Sequence, residues 1–598
     1  MKGLRGILGK RDEERRDVPE REAERCLSCG ASLAGSRLYE RFRVCHACGF
    51  HFHLTAQERI ASILDVGTFH EDDRGVSAID PLSFPGDRRH SYRSRVIQEQ
   101  RRTKLTEAVM TGRGAIGGHD VVIGVVDFAF LGGSIGVAAG ERLARAFERA
   151  RARRLPVVLV CSTSGTRMQE GLLALMQGPR IAVAIERHGR EGLPYVCVLT
   201  DPTTGSAYAS FINLADVLLA EPNALVGYAA LRALEESTKN GLPAGAHTSE
   251  AHLAHGLIDA VVPRPRLRGT LAELLDLLDR RNQLSGSQAG RPGHVLHTPQ
   301  PAWRQVQLSR HANRPTAREL ILRMTTTFFE VCGDRSGVND PAIVAGIGMI
   351  EGEAAVFVGQ VRPHDGERGG LIAPAGFRKA ARAIRLGSKL GLPVVTLVDT
   401  AGADPSLAAE EAGQGNAIAS CLAAMLGAAS PTVAVITGEG NSEAAMALAT
   451  ADRVLMLDNA VYEVVRPEDA AAVLEGGPAE VAERLRLTSH DCLRLGIVDH
   501  TVPEPGEGAH TDHAEAAALL RRAVVRELAR LGRMRSKHRL ERRYARYREF
   551  GSTHGWLRGR FERRWAHLLD RAGGAFDRLR GRTFGRRGDF SEDGGIPV

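Results

Sequence analysis

Nowhere in the 598 residues is there an uninterrupted apolar run of about 18, so the sequence offers no helix able to cross a bilayer. The opening stretch, MKGLRGILGKRDEERRD, turns charged before a secretory apolar core can form, which sets a cytoplasmic expectation. Cysteine is too sparse for a disulfide scaffold. Of nine, four (Cys26, Cys29, Cys45, Cys48) stand together. The other five (Cys161, Cys197, Cys332, Cys421, Cys492) sit in apolar stretches and read as small buried residues. Motifs for side-chain catalysis are missing too: there is no P-loop and no H-E-x-x-H.

What is present is ordinary for a globular chain, 43% apolar and 25% charged, and long enough for two large domains. The net charge of +8 comes largely from arginine, much of it after about residue 520. Such a balance suits phosphorylated cofactors or nucleic acid, and equally a solvated helix surface. Around residues 283–301 the chain reads QLSGSQAGRPGHVLHTPQP, a linker composition, and residues past 550 end in glycine and charge, the composition of a disordered tail.

The sequence repeats itself. RLPVVLVCSTSG at 154–165 matches GLPVVTLVDTAG at 391–402. GLPYVCVLTDPTTGSAYAS at 192–210 matches ASPTVAVITGEGNSEAAMA at 429–447, and LADVLLAEPNALVG at 214–227 matches TADRVLMLDNAVYE at 450–463. Gly165 and Gly402 lie 237 positions apart, Asp216 and Asp452 236 apart. Three pairs in one order at nearly one offset imply two copies of a domain. Within each copy, a proline introduces a short apolar run, a small-residue turn closes it, and a helix-compatible stretch follows. Strand, glycine turn and helix in repetition make an α/β fold with ligand loops at the strand ends.

Cys26-Leu-Ser-Cys29 and Cys45-His-Ala-Cys48 form C-x2-C-x15-C-x2-C, with Gly30 and Gly49 closing each knuckle. Two knuckles complete a four-thiolate site, for which structural zinc is the expected metal; no open coordination position remains for catalysis. His46, His51 and His53 are nearby and are not needed as ligands. The glycine turns, including FLGGSIG at 130–136, suit a chemistry that needs only main-chain donors, such as holding an enolate or ureido oxyanion. Their alternative role is to close tight turns.

At this point the residues carry a resemblance. CGFHFHLTAQERI, FAFLGGSIG, SGTRMQEGLLALMQ, GLPYVCVLTDPTTG and AEPNALVGY resemble the beta subunit of bacterial acetyl-CoA carboxylase carboxyltransferase. WRQVQLSRHANRP, CGDRSGVNDPAIVAGIGMIEG, APAGFRKAARA, LVDTAGADPSLAAEEAGQGNAIA, ITGEGNSEAAMALA and VPEPGEGAH resemble the alpha subunit. The resemblance implies an α/β chain of two tandem crotonase (ClpP-like) ββα superhelix domains behind a four-cysteine zinc ribbon. Its divisions would be ribbon 20–55, beta-type domain 56–282, linker 283–302, alpha-type domain 303–550 and tail 551–598.

It further implies a carboxyltransferase that moves the carboxyl group of carboxybiotin to acetyl-CoA or another short acyl-CoA, giving malonyl-CoA for fatty-acid or polyketide synthesis. Biotin itself takes the α-proton in this family, which matches the lack of a protein base. No Met-Lys-Met biotinylation tripeptide and no biotin-carboxylase ATP loop occurs, so carboxybiotin is expected on a separate biotin carboxyl carrier protein charged by a biotin carboxylase. A homodimer or higher homo-oligomer is also implied. Carried onto this chain, one oxyanion hole falls at Gly165 and Thr166, the other at Ala444 and Ala445 beside Glu443. Gly132, Gly133, Ser134, Arg167, Gly402 and Gly440 are expected to line the substrate.

The chain departs from the family pattern at these places. S-G-G-A-R is shortened to Ser164-Gly165-Thr166-Arg167. Asn441 and Glu443 replace glycines of G-E-G-G-S-G-G-A, and Ala401 and Asp404 stand for Pro and Tyr. Ala230-Leu231-Arg232 stands for G-P-R. Two readings follow: an active transferase, in which main-chain donors outlast side-chain changes, and a catalytically weakened structural or regulatory subunit. The ribbon with the basic C-terminal region supports a third, nucleic-acid binding.

Overall fold

The computed structural model describes residues 25–78, 80, 91–229, 243, 245–279, 300–362 and 370–550. Nearly all of the expected linker, the expected tail and the Ala230-Leu231-Arg232 triplet lie outside these residues. Contacts group the chain into a unit ending at Leu540 and another beginning at Glu541, whose described part is the end of the helix Ser536–Glu549. Among the described residues no helix is long and apolar enough to cross a membrane.

The first half builds one sheet from β1 (His70–Asp72), β2 (Val109–Ile116), β3 (His119–Val126), β4 (Val157–Thr163), β5 (Tyr195–Thr204), β6 (Val217–Ala220) and β8 (Ala260–Val261), in that spatial order, with β7 (Val226–Gly227) paired to β5. The second half repeats this as β9 (Thr327–Glu330), β10 (Ile343–Ile350), β11 (Glu353–Gln360), β12 (Val394–Thr400), β13 (Thr432–Asn441), β14 (Arg453–Leu457) and β16 (His500–Val502), with β15 (Val461–Glu463) paired to β13. Each sheet has eight strands. The β2–β3 and β10–β11 pairs are antiparallel hairpins, after which every later strand joins its sheet in parallel. The chain therefore winds in one direction, as a superhelix of ββα units does.

The sequence explains the strands. Leu-Pro removes a donor just before β4 and β12, and the runs that follow are buried on both faces, as interior parallel strands require. Aspartates fix the register. Asp216 Oδ2 accepts from Tyr195 N and Asp452 Oδ2 from Thr432 N, each at 2.9 Å; Asp259 and Asp499 accept from Leu218 N and Val454 N, each at 2.8 Å. The duplication thus extends to single hydrogen bonds.

The halves share one core, running from Ile60 and Leu274 in the first to Val356 and Phe357 in the second. Buried leucines of the helix Arg264–Leu278 supply much of the seam. At its edge Gly256 and Gly333 approach so closely that a Cβ on Gly256 would lie 2.5 Å from the Gly333 Cα. Asp259 is buried there and receives Arg335 (2.6 Å), Arg382 (2.9 Å) and the Cys332 N–H (3.2 Å) from the second half. Asp259→Ala leaves two guanidinium groups without their carboxylate, and breaking such a buried pairing costs about 3–5 kcal/mol. Denaturant unfolding of the variant should show that loss; an unchanged midpoint would remove Asp259 from the docking of the halves.

Candidate functional site

The two matching turns are built alike. After β4 the chain bends at Gly165, whose φ of +101° is a conformation side chains rarely adopt. Its N–H donates to Thr163 Oγ1 at 3.0 Å, its carbonyl accepts from Ile135 N at 2.8 Å, and Arg167 N donates to Ile135 O at 3.0 Å. After β12, Gly402 (φ +135°) repeats each bond: N–H to Thr400 Oγ1 at 3.0 Å, carbonyl from Ile372 N at 3.1 Å, and Asp404 N to Ile372 O at 3.0 Å. The Gly165 amide expected as an oxyanion donor is therefore already engaged. In each bend the N–H left without a partner among the described residues belongs to the next residue, Thr166 or Ala403.

Opposite each bend stands a helical turn. A Cβ on Gly165 would lie 3.1 Å from Ser206 N, in the turn Gly205–Ala207 that follows β5. The Thr166 and Ser206 hydroxyls are hydrogen-bonded across this junction. The counterpart after β13 is the helix Ser442–Ala449, whose N-cap Asn441 makes no side-chain cap bond. Asn441 Nδ2 instead donates to Ala401 O at 2.7 Å, tying the helix start to the bend. Among the first-turn N–H groups, that of Ala444 has no carbonyl a turn before it, whereas that of Ala445 faces the carbonyl of the N-cap Asn441. Both alanines are buried, while Glu443 is exposed, so the carboxylate that replaces a glycine points to solvent. Gly440 stays in β13, where a Cβ would meet the Tyr462 ring at 3.2 Å; its smallness serves strand packing.

Gly132 and Gly133 (φ +66° and +63°) bring the 130–134 turn onto the first bend, with Ser164 N and Oγ both donating to Gly132 O at 3.0 Å. Arg167, expected to face the substrate, does not. It is 1% exposed, and its guanidinium donates to Glu107, Glu170, Ser134 O and Ser134 Oγ. Glu170 in turn accepts from Tyr92 OH and from Val137 N, at the head of the helix Val137–Arg153. Arg167 is a brace beneath the turn, because five donors in a dry site must each be matched. Ser134 belongs to this framework as well.

The second bend is flanked by buried charge. Glu439, just before Gly440, meets Arg310, Arg362 and Arg466. Glu463, opposite Asn441 on β15, has only Arg310 at 3.6 Å, and neither carboxylate oxygen is hydrogen-bonded in the described structure. Burial, together with the neighbouring Glu439 charge, pushes the Glu463 carboxyl up to about 9.

In the ribbon both knuckles close on a glycine at φ +73°, with Gly30 N donating to Cys26 O and Gly49 N to Cys45 O. Cys26 Sγ is 3.6 Å from Cys48 Sγ, Cys29 Sγ is 3.7 Å from Cys45 Sγ, and all four sulfurs lie within 4.8 Å of one another. Bonds of about 2.3 Å to a tetrahedral zinc would set the sulfurs about 3.8 Å apart, so the donor set fits that ion. His51 accepts from Arg264 N and His53 bonds Asp127, so neither belongs to the sulfur cluster.

Comparison with known proteins decides the family. Residues 290–551 match the model described as acetyl co-enzyme A carboxylase carboxyltransferase-like. The acetyl-coenzyme A carboxylase carboxyl transferase subunits beta/alpha of Parafrankia sp. (strain EAN1pec) is 41% identical over 560 residues, covering 88% of this chain and 91% of that protein. Its namesake from Natranaerobius thermophilus is 35% identical, covering 89% and 92%. The chain belongs to the acetyl-CoA carboxylase carboxyl transferase family. Its fold matches the crystal structure of transcarboxylase 12S, described as a hexamer assembly with methylmalonyl-coenzyme A bound, at a TM-score of 0.66 and 20% identity, covering 89% of this chain and 97% of that one. The crotonase architecture is thereby shown for this carboxyl transferase.

Sequence reasoning missed Thr163 and Thr400, the side chains that pin both bends. Their signal was available: they sit two positions before Gly165 and Gly402, at the same 237-residue offset. It missed the Glu439–Glu463 pair because burial of single charges has no sequence period. A carboxyl whose folded value is raised favours folding only below its unfolded value, near 4.5, and opposes it progressively as pH climbs toward 9. Glu463→Gln, which stays neutral, should therefore gain thermal stability relative to the parent between pH 5 and pH 8. A constant difference in Tm across that range would show that Glu463 does not hold its proton.

Proposed function

We propose that this chain is the carboxyltransferase component of a biotin-dependent acyl-CoA carboxylase, moving a carboxyl group from carboxybiotin on a separate carrier protein to acetyl-CoA or another short acyl-CoA. The observation that carries this reading is the duplicated bend. Each half offers a main-chain N–H next to a positive-φ glycine, facing the start of a helical turn. One such pocket suits the thioester oxygen as the α-carbon loses its proton, the other the ureido oxygen of biotin as it is relieved of its carboxyl group. Preorganised amides need no reorientation when charge develops, and the α-proton passes to the biotin ureido group as that group gives up its carboxyl, so no protein base or nucleophile is required. The Thr166 N–H with the Ser206 turn serves the first half, and Ala403 with Ala444 the second. Gly132 and Gly133 border the first pocket, while Gly165 and Gly402 supply its shape and that of its counterpart by their backbone angles. The relatives' names, subunits beta/alpha, describe one component of a larger enzyme, which supports a carrier protein and a biotin carboxylase as partners.

Two copies of the chain complete the site. All hydrogen bonds described around each bend stay within its own half, and apolar residues just past the first bend stand in solvent, Met168 at 81% and Leu172 at 68% exposure. A second copy's other half is the partner that would cover them. The four cysteines hold zinc in a closed set, which stabilises the ribbon and takes no part in transfer.

Gly165→Val forces a β-branched residue to φ +101° beside Ser206 N. Carboxyl transfer should fall at least about 100-fold, the scale of losing one oxyanion donor, with affinity for the carrier protein kept. Equal transfer rates would take this bend out of the mechanism. Cys26→Ala should bind less than one zinc per chain and melt at lower temperature, because metal binding and folding of the ribbon are coupled. Full zinc content in that variant would refute the ligand set.

A further inference from the structure

The ribbon leads directly into the framework of the first pocket. Asp127 follows β3 and is 2% exposed. Its Oδ1 accepts from Ala129 N at 2.9 Å and lies 3.2 Å from His53 Nε2; its Oδ2 accepts from Ala56 N at 2.7 Å, at the start of the helix Ala56–Ile63. The Asp127 carbonyl accepts from Phe130 N at 3.2 Å, and the Phe130 carbonyl from Gly133 N at 3.0 Å. One carboxylate thus joins the exit of the ribbon, the start of a helix and the first rung beneath the Gly132–Gly133 turn.

The ribbon end of this chain of bonds is itself fixed. Arg264 donates to Phe42 O at 2.7 Å and Phe52 O at 2.9 Å, its N–H reaches His51 Nε2, and its guanidinium shares the buried Glu221 with Arg59. His53 follows Phe52 directly, so its position relative to Asp127 is set by how the ribbon sits on that anchor. His53 is half exposed and carries no part of the sulfur cluster. Its one described hydrogen bond is to Asp127.

We propose that His53 and Asp127 are positioning residues through which the cysteine ribbon sets the 130–134 turn, and through it the affinity for the acyl thioester. The link to the thioester rests on the function proposed above; the link between ribbon and turn does not. It assigns the ribbon a role in substrate affinity in addition to its own stability.

The test uses the full zinc-loaded chain. Hydrogen–deuterium exchange across residues 128–136 is compared for the parent, His53→Ala and His53→Gln, with zinc content and Tm measured alongside and KM and kcat determined for acetyl-CoA. His53→Ala should exchange faster in this segment at unchanged zinc content, with KM raised about 10-fold, the scale of one hydrogen bond to a charged group, and kcat changed far less. His53→Gln, whose amide can donate to the same carboxylate, should restore both. Zinc-stripped parent protein should show the same faster exchange. Unchanged exchange in His53→Ala overturns the coupling. Faster exchange with unchanged KM overturns the link to substrate. Absence of turnover in the parent would count against the proposed function alone, while the exchange result would still decide the coupling.

Discussion

Everything at this site depends on a glycine carbonyl that an isoleucine N–H holds in place, with a threonine hydroxyl receiving the same glycine's N–H. Thr163, Gly165 and Ile135 make this knot in one half, and Thr400, Gly402 and Ile372 in the other. Positive φ at the glycine reverses the direction of the main chain just beyond a fully buried strand. The next N–H is then presented outward, because the glycine's own has been satisfied by the threonine. An amide in that position is a donor whose direction the backbone fixes, and a fixed donor is what stabilises developing negative charge.

Much of this could be read before any coordinates. The repeated segments located both bends, and alternating strand, turn and helix gave the layered architecture. The two C-x2-C pairs located the four-sulfur cluster. Reading failed where the decisive fact was a side chain's direction. Arg167 looked like a ligand because it follows an oxyanion turn, yet five donors and four internal partners hold it in the dry interior. Glu443 looked like an obstacle, and one step around the helix takes it into solvent. Neither outcome is written in residue type. Both follow from which face of the local turn meets the core.

The two halves kept the knot and diverged around it. Arg167 in the first corresponds to Asp404 in the second, and Ser206 to Glu443, at one constant offset. In the first half an arginine beneath the turn is matched by Glu107 and Glu170. In the second, Glu439 gathers three arginines on the other side of the bend, and Glu463 adds an acid that burial keeps protonated. The donors at the bends are main chain in both, while the charges that support them differ in sign order and in origin. A duplicated scaffold with different supports is what the proposed pair of oxyanions, a thioester enolate and a ureido group, would call for.

The departures from the family pattern can be weighed in the same terms. A change at a site made of backbone amides matters only through the dihedral angles it imposes. The Thr166 N–H has no partner among the described residues, and the Thr166 hydroxyl reinforces the junction with Ser206. Asn441 replaces a glycine and contributes a bond from its side chain to Ala401 O, which a glycine could not make. Ser442, which occupies the serine of the family pattern, takes a left-handed angle, φ +54°. The substitutions therefore exchange conformational freedom for side-chain staples around the bends. That exchange favours retained transfer over a merely structural subunit, since a chain released from catalysis would have no physical reason to keep both knots in register.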